Sequence, residues 1–533
     1  MAARAILASL CGAAPGNAGP DARLLRRHRR FQRHLWSFYR APAYLPQDAE
    51  TLICRCESVD LGTVQSLIAE GTTDAGSIKR RTRIGMGSCQ GRYCQRQLAR
   101  VLQAGGAQPS PPFEAQVPVK PVSGAALARE KPEWAGYRSI EGQFAPRALS
   151  PSAAAPSLEA EVLVIGAGII GLCTALHLAE AGVDVLVVDS GDPFAQASGN
   201  NAGSLHLQML SSDFDNPAVG ASAASQAIAL QRMGIAGWQA LESRLAADFE
   251  LRITGGLVVA GSDRELAFLQ RKVAVERAQG LEVEMLDQPA LRHRLEAVSP
   301  HMLGAAWCPG EGKINPLAAA APLKRALRAA GGRLLSPCAV AAIERVDGIY
   351  RVDASAARIR CSTLVNAAGG WTAGIAALVG ATLPVRTAPQ QMIVTEPLAP
   401  LIGQLLAASQ RHLTLKQVAN GNVIIGGGWP AGYDPRRRRA FNLRESIEGN
   451  LWIAQHVIPA LAGARMLRSW ATVGVMIDGA PILGELPGQP GFYNAVGANG
   501  YTMGPVIGRI TADLIRGESP PLDIRPFQVD RFQ

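Results

Sequence analysis

From about Leu158 onward, short runs of β-branched and leucine residues alternate with stretches of helical period, the pattern of strands packed against helices. The clearest unit is Ala160–Ser190, AEVLVIGAGIIGLCTALHLAEAGVDVLVVDS, which reads as strand, glycine turn, amphipathic helix and second strand. Between Ile393 and Val475, segments such as NVIIGGG at Asn422–Gly428 read as short strands. The longest uncharged run, Cys361–Val385, is long enough to cross a bilayer. It contains Asn366, Gly369, Gly370, Gly374, Gly380 and Pro384, so it predicts strand, turn and short helix rather than a span.

The first 157 residues are patterned differently. Leu24, His28, Phe31, Leu35 and Phe38 share one stripe at helical period, and Arg26, Arg29, Arg30 and Arg33 take the opposite side, predicting an amphipathic helix over Arg23–Arg40. A compact segment follows to Ala104, and then a Pro-rich stretch with PSPPF at Pro109–Phe113 and PVKPV at Pro118–Val122, expected to be an extended connector over a surface. The expected organisation is a basic segment over 1–45, a compact module over 46–104, a connector over 105–157 and a large α/β unit over 158–533.

Composition narrows the function classes. With 48% hydrophobic and 18% charged positions in 533 residues, the chain carries several packed cores and is no disordered polymer. Its formal charge of +10 lies entirely before residue 158, where 21 basic residues face 11 acidic ones. A basic amphipathic helix suits a nucleic-acid or membrane surface; it equally suits a docking helix whose apolar stripe packs on this chain or a partner. No signal peptide is expected from Met1–Gly19, and the cytoplasm is the expected compartment.

Nine cysteines in so long a chain argue against a disulfide scaffold. Cys11, Cys173, Cys308, Cys338 and Cys361 stand singly and read as small hydrophobes. Cys54, Cys56, Cys89 and Cys94 cluster as C-x-C and C-x4-C, four thiolates that suit either a zinc ion or an iron-sulfur cluster. Between them, Ile84–Ser88 (IGMGS) allows close backbone approach, with amides able to point at sulfur.

Gly166, Gly168 and Gly171 complete G-x-G-x-x-G directly after the first strand of the α/β unit. The first two permit a tight turn and close approach to a pyrophosphate at a helix N-terminus; the third lets helix pack on strand. Asp189 ends the second strand, where a carboxylate accepts hydrogen bonds from ribose hydroxyls. This motif alone does not choose between FAD and a nicotinamide dinucleotide.

Two resemblances go further. ICRCESV at Ile53–Val59 and TRIGMGSCQGRYC at Thr82–Cys94 resemble the [2Fe-2S] module related to bacterioferritin-associated ferredoxin, in the form found in the large subunit of opine oxidases and hydrogen cyanide synthases. In that setting the Arg-rich helix and the PVKPV tail also have counterparts, which favours the docking reading of the helix. ASGNNAGSLHLQ at Ala197–Gln208, VNAAGGW at Val365–Trp371 and the closing GANGYTMGPVIGRITADLI with LDIRPFQVDRF resemble the FAD-dependent D-amino-acid oxidase superfamily. The implied fold is a small helical [2Fe-2S] module followed by a doubly wound FAD-binding half and an antiparallel-sheet substrate half, interleaved in sequence.

The resemblance places Ser198, Asn201, Ala202 and Gly203 along the flavin and pyrophosphate, Val340 at the adenine, and Ala368 and Gly369 nearby. It gives Gly500, Tyr501, Thr502 and Met503 to the pyrimidine edge of the flavin, ahead of a helix from about Gly504. Relatives that grip a carboxylate carry Arg four residues after a Trp; here WATVG puts Gly474 at that place. Lys416, Arg386 and Arg468 are candidate substitutes, and His206, Tyr433 and Trp429 are candidate pocket residues. The expected reaction is hydride transfer from an amino acid or secondary amine (an opine, a D-amino acid or a cyclic imino acid) to FAD. Electrons would then pass to the cluster, within a complex with a larger flavoprotein and a small ferredoxin-like chain. The alternatives are a noncatalytic protein serving relay or assembly, and a transfer-RNA-modifying flavoenzyme.

Overall fold

The computed structural model describes residues 20–38, 45–69, 72, 74–106, 116–131, 155–210, 221–436 and 438–532. The expectations for Met1–Gly19, Cys11 and most of the connector lie outside them. The amphipathic helix runs Pro20–Phe38, and its described side chains are exposed, including Phe31, Trp36 and Phe38. It does not pack its apolar stripe on the described part of this chain.

The cysteine module is a two-stranded ribbon, Leu52–Cys54 with Val59–Asp60, and three helices, Leu61–Ala69, Ala75–Thr82 and Cys94–Ala104. Asp74 caps the second helix by accepting from Ser77 N at 2.6 Å, while Lys79, Arg80 and Arg81 close it at the negative end of its dipole. Val64, Ile78, Ile84 and Leu98 fill the module's own small core.

The connector's described part, 116–131, lies over the larger unit as expected. Val122–Ser123 adds an edge strand beside Arg465–Met476, and Lys131 reaches Glu448 at 2.8 Å on the helix Arg444–Val457.

The larger unit is built on two sheets. Six strands run in the order Arg333–Leu335, Val185–Val188, Val162–Ile165, Thr363–Asn366, Phe492–Val496 and Ile482–Glu485; the first five are parallel and the last is antiparallel. Val162–Ile165 and Val185–Val188 are buried at every position, as continuous apolar strands must be when both faces are covered: helices such as Ile169–Glu180 pack on one face, and a separate sheet of Val340–Val346, Ile349–Ala354 and Ala357–Cys361 packs on the other. Cys361–Val385 folds as read: the strand Thr363–Asn366, a tight turn at Gly369–Trp371 and the helix Thr372–Ala377.

The second sheet has nine strands and roofs the first. Its central members are Leu405–Ala408, Thr414–Gln417, Asn422–Gly426, Arg386–Pro397 and Arg465–Met476. The expected antiparallel sheet is antiparallel except for one pair, Leu405–Ala408 with Gly256–Ala260, which is parallel because the chain re-enters beside an earlier strand. Cys173, Cys308, Cys338 and Cys361 are buried, in keeping with their reading as small hydrophobes.

The helix expected from about Gly504 begins at Gly500 and runs to Ile515. It crosses the helix Ile169–Glu180 at close range. A side chain on Gly508 would bring its Cβ within 2.5 Å of Cys173 Cβ and 2.7 Å of the Thr174 backbone nitrogen. Gly508→Val therefore overpacks a rigid crossing, at a cost of about 1 to 3 kcal/mol, and the expected outcome is a lower melting temperature in a thermal scan. Parent-like melting would contradict this crossing.

Candidate functional site

A cavity of about 790 Å³ opens where the strand ends of the parallel sheet meet the roof sheet. Gly166 and Gly168 form its floor. Gly166 has φ +112°, and a Cβ there would lie 2.4 Å from the Ala367 carbonyl oxygen; on Gly171 it would meet the Gly166 oxygen at 1.9 Å. Glycine is thus dictated at these positions by the approach of three backbone segments. The helix that starts at Ile169 aims its first amides at this floor, and Ser198 Oγ accepts from Ile169 N at 3.0 Å.

Asp189 follows directly on the strand Val185–Val188. Its carboxylate accepts from Ala167 N at 2.8 Å and Gly191 N at 2.9 Å, and burial pushes its pKa up. Each oxygen retains acceptor capacity toward a diol in the cavity.

Ala197–Asn200 is a single helical turn, after which Asn201 Oδ1 accepts from Gly203 N at 2.6 Å and fixes the loop's direction. Beyond it, Glu311 accepts from the amides of Leu207 and Gln208, both at 2.8 Å, and lies 3.8 Å from His206 Nδ1. Burial raises the Glu311 carboxyl, but His206 and the two amides outweigh it and hold the group below its ordinary range. This support is not visible in the sequence: Glu311 lies between two glycines, 104 and 103 residues after the two amides it anchors.

Of the residues singled out in sequence, Gly166, Gly168, Asp189, Ser198, Asn201, Ala202 and Gly203 line the cavity. So do His206, Val340, Ala368, Gly369, Gly474, Gly500 and Tyr501. Thr502 and Met503 do not: both are fully buried behind the wall, in the first turn of a helix that begins earlier than expected. Thr502 Oγ1 instead accepts from His206 N.

The carboxylate candidates need correction as well. Arg386 is exposed at the start of its strand, Arg468 belongs to the cysteine-module contact, and Lys416 lies behind the wall. Tyr433 sits beside Arg438 rather than in the lining, and Trp429 donates to the His412 carbonyl at 2.6 Å, a structural role. Among the described residues, the arginines and lysines that line the cavity are Arg411 and Arg438, both on loops. Beside Gly474 the space is taken by Gln390, whose Nε2 would lie 3.0 Å from a Cβ there.

The four cysteines gather as two pairs. Cys54 shares a thiol hydrogen bond with Cys94, and Cys56 with Cys89. Among the described residues no three such groups converge on one point fit for a single ion. Two pairs suit a two-iron cluster, in which each iron takes two thiolates; a lone zinc ion needs all four at one centre. The Cys54 thiol is lowered to about 6 by Cys94, with further help from the amides of Gly85, Glu57 and Cys56. Gly87 passes so close that a Cβ on it would lie 2.3 Å from Cys56 Cβ.

This module is fastened to the roof sheet near the cavity. Arg468 donates to the Met86 carbonyl, Gln90 Nε2 donates to Leu467 O at 2.7 Å, and Arg83 meets Asn422 at 3.1 Å. Burial, followed by the charge of Arg83, lowers the Arg468 guanidinium to about 10.

The cavity's donors and glycine floor fit a dinucleotide with a ribose diol at Asp189. Asp189→Ala removes a charge-assisted acceptor, worth about 1.5 to 3 kcal/mol, so FAD affinity should fall about tenfold or more. Asp189→Asn should lose less. The measurement is FAD content after purification and on back-titration; parent-like retention by both variants would contradict the assignment.

Comparison with known proteins agrees with this arrangement. The family described as FAD dependent oxidoreductase matches residues 161–514, and the BFD-like [2Fe-2S] binding domain matches residues 52–104. The HcnC component of hydrogen cyanide synthase from Pseudomonas aeruginosa is 28% identical over 410 residues, covering 70% of this chain and 96% of HcnC. An opine oxidase subunit of Rhizobium meliloti is 24% identical over 382 residues, covering 70% of this chain and 98% of that subunit. The crystal structure of glycine oxidase from Geobacillus kaustophilus superposes with TM-score 0.63 at 24% identity, covering 70% of this chain and 98% of that one. The chain therefore belongs to the D-amino-acid-oxidase-type family of FAD-dependent oxidoreductases and carries a BFD-like [2Fe-2S] domain ahead of its flavin domain.

Proposed function

We propose that this protein is a dehydrogenase that oxidises the C–N bond of an amino acid or secondary amine and passes the electrons through its own [2Fe-2S] cluster to a partner. One observation carries the relay. On the strand Arg465–Met476, alternate residues share a face. Arg468 contacts the cluster loop, Trp470 donates to Asn200 O at 2.8 Å beside the flavin loop, and Thr472 and Gly474 line the cavity. Thr472 is four residue steps along the strand from Arg468, about 13 Å at ~3.3 Å per residue.

Bound FAD supplies a two-electron acceptor for hydride. The protein's part is to bind, orient and keep dry. Gly166, Gly168 and Asp189 would hold the nucleotide end; Ser198, Asn201, Ala202 and Gly203 would hold the pyrophosphate and ring; Val340, Ala368 and Gly369 would flank the adenosine. Gly500 and Tyr501, at a helix N-terminus whose dipole favours negative charge, would meet the ring's polar edge. Arg411 and Arg438 would supply the positive charge that Gly474 does not, on the substrate side. Cys54, Cys56, Cys89 and Cys94 would ligate the cluster.

The partners expected are a larger flavoprotein and a small ferredoxin-like chain, in keeping with relatives whose names mark them as components of assemblies: HcnC, the opine oxidase relative, and the beta chain of sarcosine oxidase from Rhizobium meliloti. A cytoplasmic location is proposed, and no described helix is long and apolar enough to cross a membrane.

The test is dye reduction by the purified holoprotein against a panel of opines, D-amino acids and cyclic imino acids. At least one class should bleach the flavin and reduce the dye. Cys89→Ser should leave flavin bleaching by that substrate intact in a single turnover while abolishing transfer to the natural acceptor. Full turnover with that acceptor in the variant would refute the relay, and no bleaching by any amine would refute the reaction class.

A further inference from the structure

Among the described residues, the roof sheet buries one lysine amine that has no hydrogen-bond partner. Lys416, in the strand Thr414–Gln417, is 1% exposed, and its Nζ has no hydrogen-bond partner. An unpaired buried amine is costly, and a methionine would fill the same space without that cost. The amine is not remote from the site. A Cβ placed on Gly203 would lie 3.0 Å from Nζ, and Gly203 lines the flavin cavity, as does Thr414 on the same face of the same strand. Lys416 thus stands one loop's thickness behind the wall.

Its surroundings favour the neutral amine. Burial pushes its pKa well below the ordinary lysine range, and the charge of Lys313 acts in the same direction. Lys313, on the short strand Gly312–Lys313, is itself held by the Gly403 and Gln417 carbonyls. Ile424 across the strand, and Ile314 and Pro316 around Gly203, bring no titratable group. Glu311, the nearby acid of the flavin loop, is engaged by His206 and the amides of Leu207 and Gln208. The site therefore gives Lys416 no fixed counter-charge. What changes charge beside it is the occupant of the cavity.

We propose that Lys416 is the proton acceptor coupled to flavin reduction: an amine while the ring is oxidised, an ammonium once the ring is reduced. This rests on the flavin function above and deepens it. In the reaction, the substrate's C–H bond breaks and its electron pair moves with that hydrogen to the flavin, which gains two electrons and one proton and becomes negative. Lys416 takes one further proton from solvent, so the added negative charge is offset by a positive one behind the Gly203 loop. When the cluster withdraws the electrons one at a time, both protons return to solvent.

The test is a spectroelectrochemical titration of the flavin band in the holoprotein between pH 7 and 9, with dithionite and mediators and no substrate. An unsuccessful amine panel therefore leaves this test untouched. For a two-electron couple, each accompanying proton shifts the midpoint by about 30 mV per pH unit. The parent should show about 60 mV per pH unit, two protons for two electrons. Lys416→Met should show about 30 mV per pH unit, as should Lys416→Arg, whose guanidinium is permanently charged; the arginine variant should also have the more positive midpoint. Flavin content, measured first, shows that each variant is folded around its cofactor. A parent slope near 30 mV per pH unit overturns the proposal whatever the variants do, and so does a slope near 60 mV per pH unit in either variant.

Discussion

The strand Arg465–Met476 is the constraint on which the rest depends. It pairs on one side with Arg386–Pro397 along nearly its whole length and on the other with the connector strand Val122–Ser123. Because side chains alternate along a strand, its register decides at once what faces the cysteine module and what faces the cavity. A slip by one residue would turn Arg468, Trp470 and Thr472 away together. The cysteine module is held against this strand and its neighbour by the side chains of Arg468, Gln90 and Arg83.

Around that strand the cavity is assembled from segments far apart in sequence, each held by its own local device. Glycine contacts set the floor, the Asp189 carboxylate ties two turns together, and Glu311 draws the flavin loop against a turn 104 residues later. Buried polar groups with partners, such as the Lys272–Glu276 pair at 2.7 Å with Met209 N on the same carboxylate, fix this region. Among the described residues with a buried polar atom lacking a hydrogen-bond partner, Lys416 is the one lysine, tied in the proposal above to the cavity's occupant.

The elements legible in the sequence are those whose chemistry is local. Four cysteines at close spacing, a glycine fingerprint between two apolar runs, and an acid at a strand end each announce a site without knowledge of the fold. Helix boundaries and pocket cations are not local in this sense. The family resemblance sets a helix start at about Gly504, yet packing against Ile169–Glu180 accompanies a helix that begins at Gly500. Lys416, Arg386 and Arg468 are reasonable carboxylate partners by sequence position. None of the three lines the cavity, whereas loops after Ala408 and Asp434 bring Arg411 and Arg438 to its lining. The N-terminal helix shows the reverse case: its amphipathic pattern is clear, and its apolar stripe finds no partner among the described residues.

The central claim is that flavin and cluster act in series within one chain. Rapid-freeze electron paramagnetic resonance after mixing the holoprotein with a substrate amine tests it most directly. The account predicts that flavin bleaching comes first and that the reduced-cluster signal then grows at the rate at which the reduced flavin decays. A cluster that stays oxidised while the flavin is reduced and turns over with its partner would contradict it.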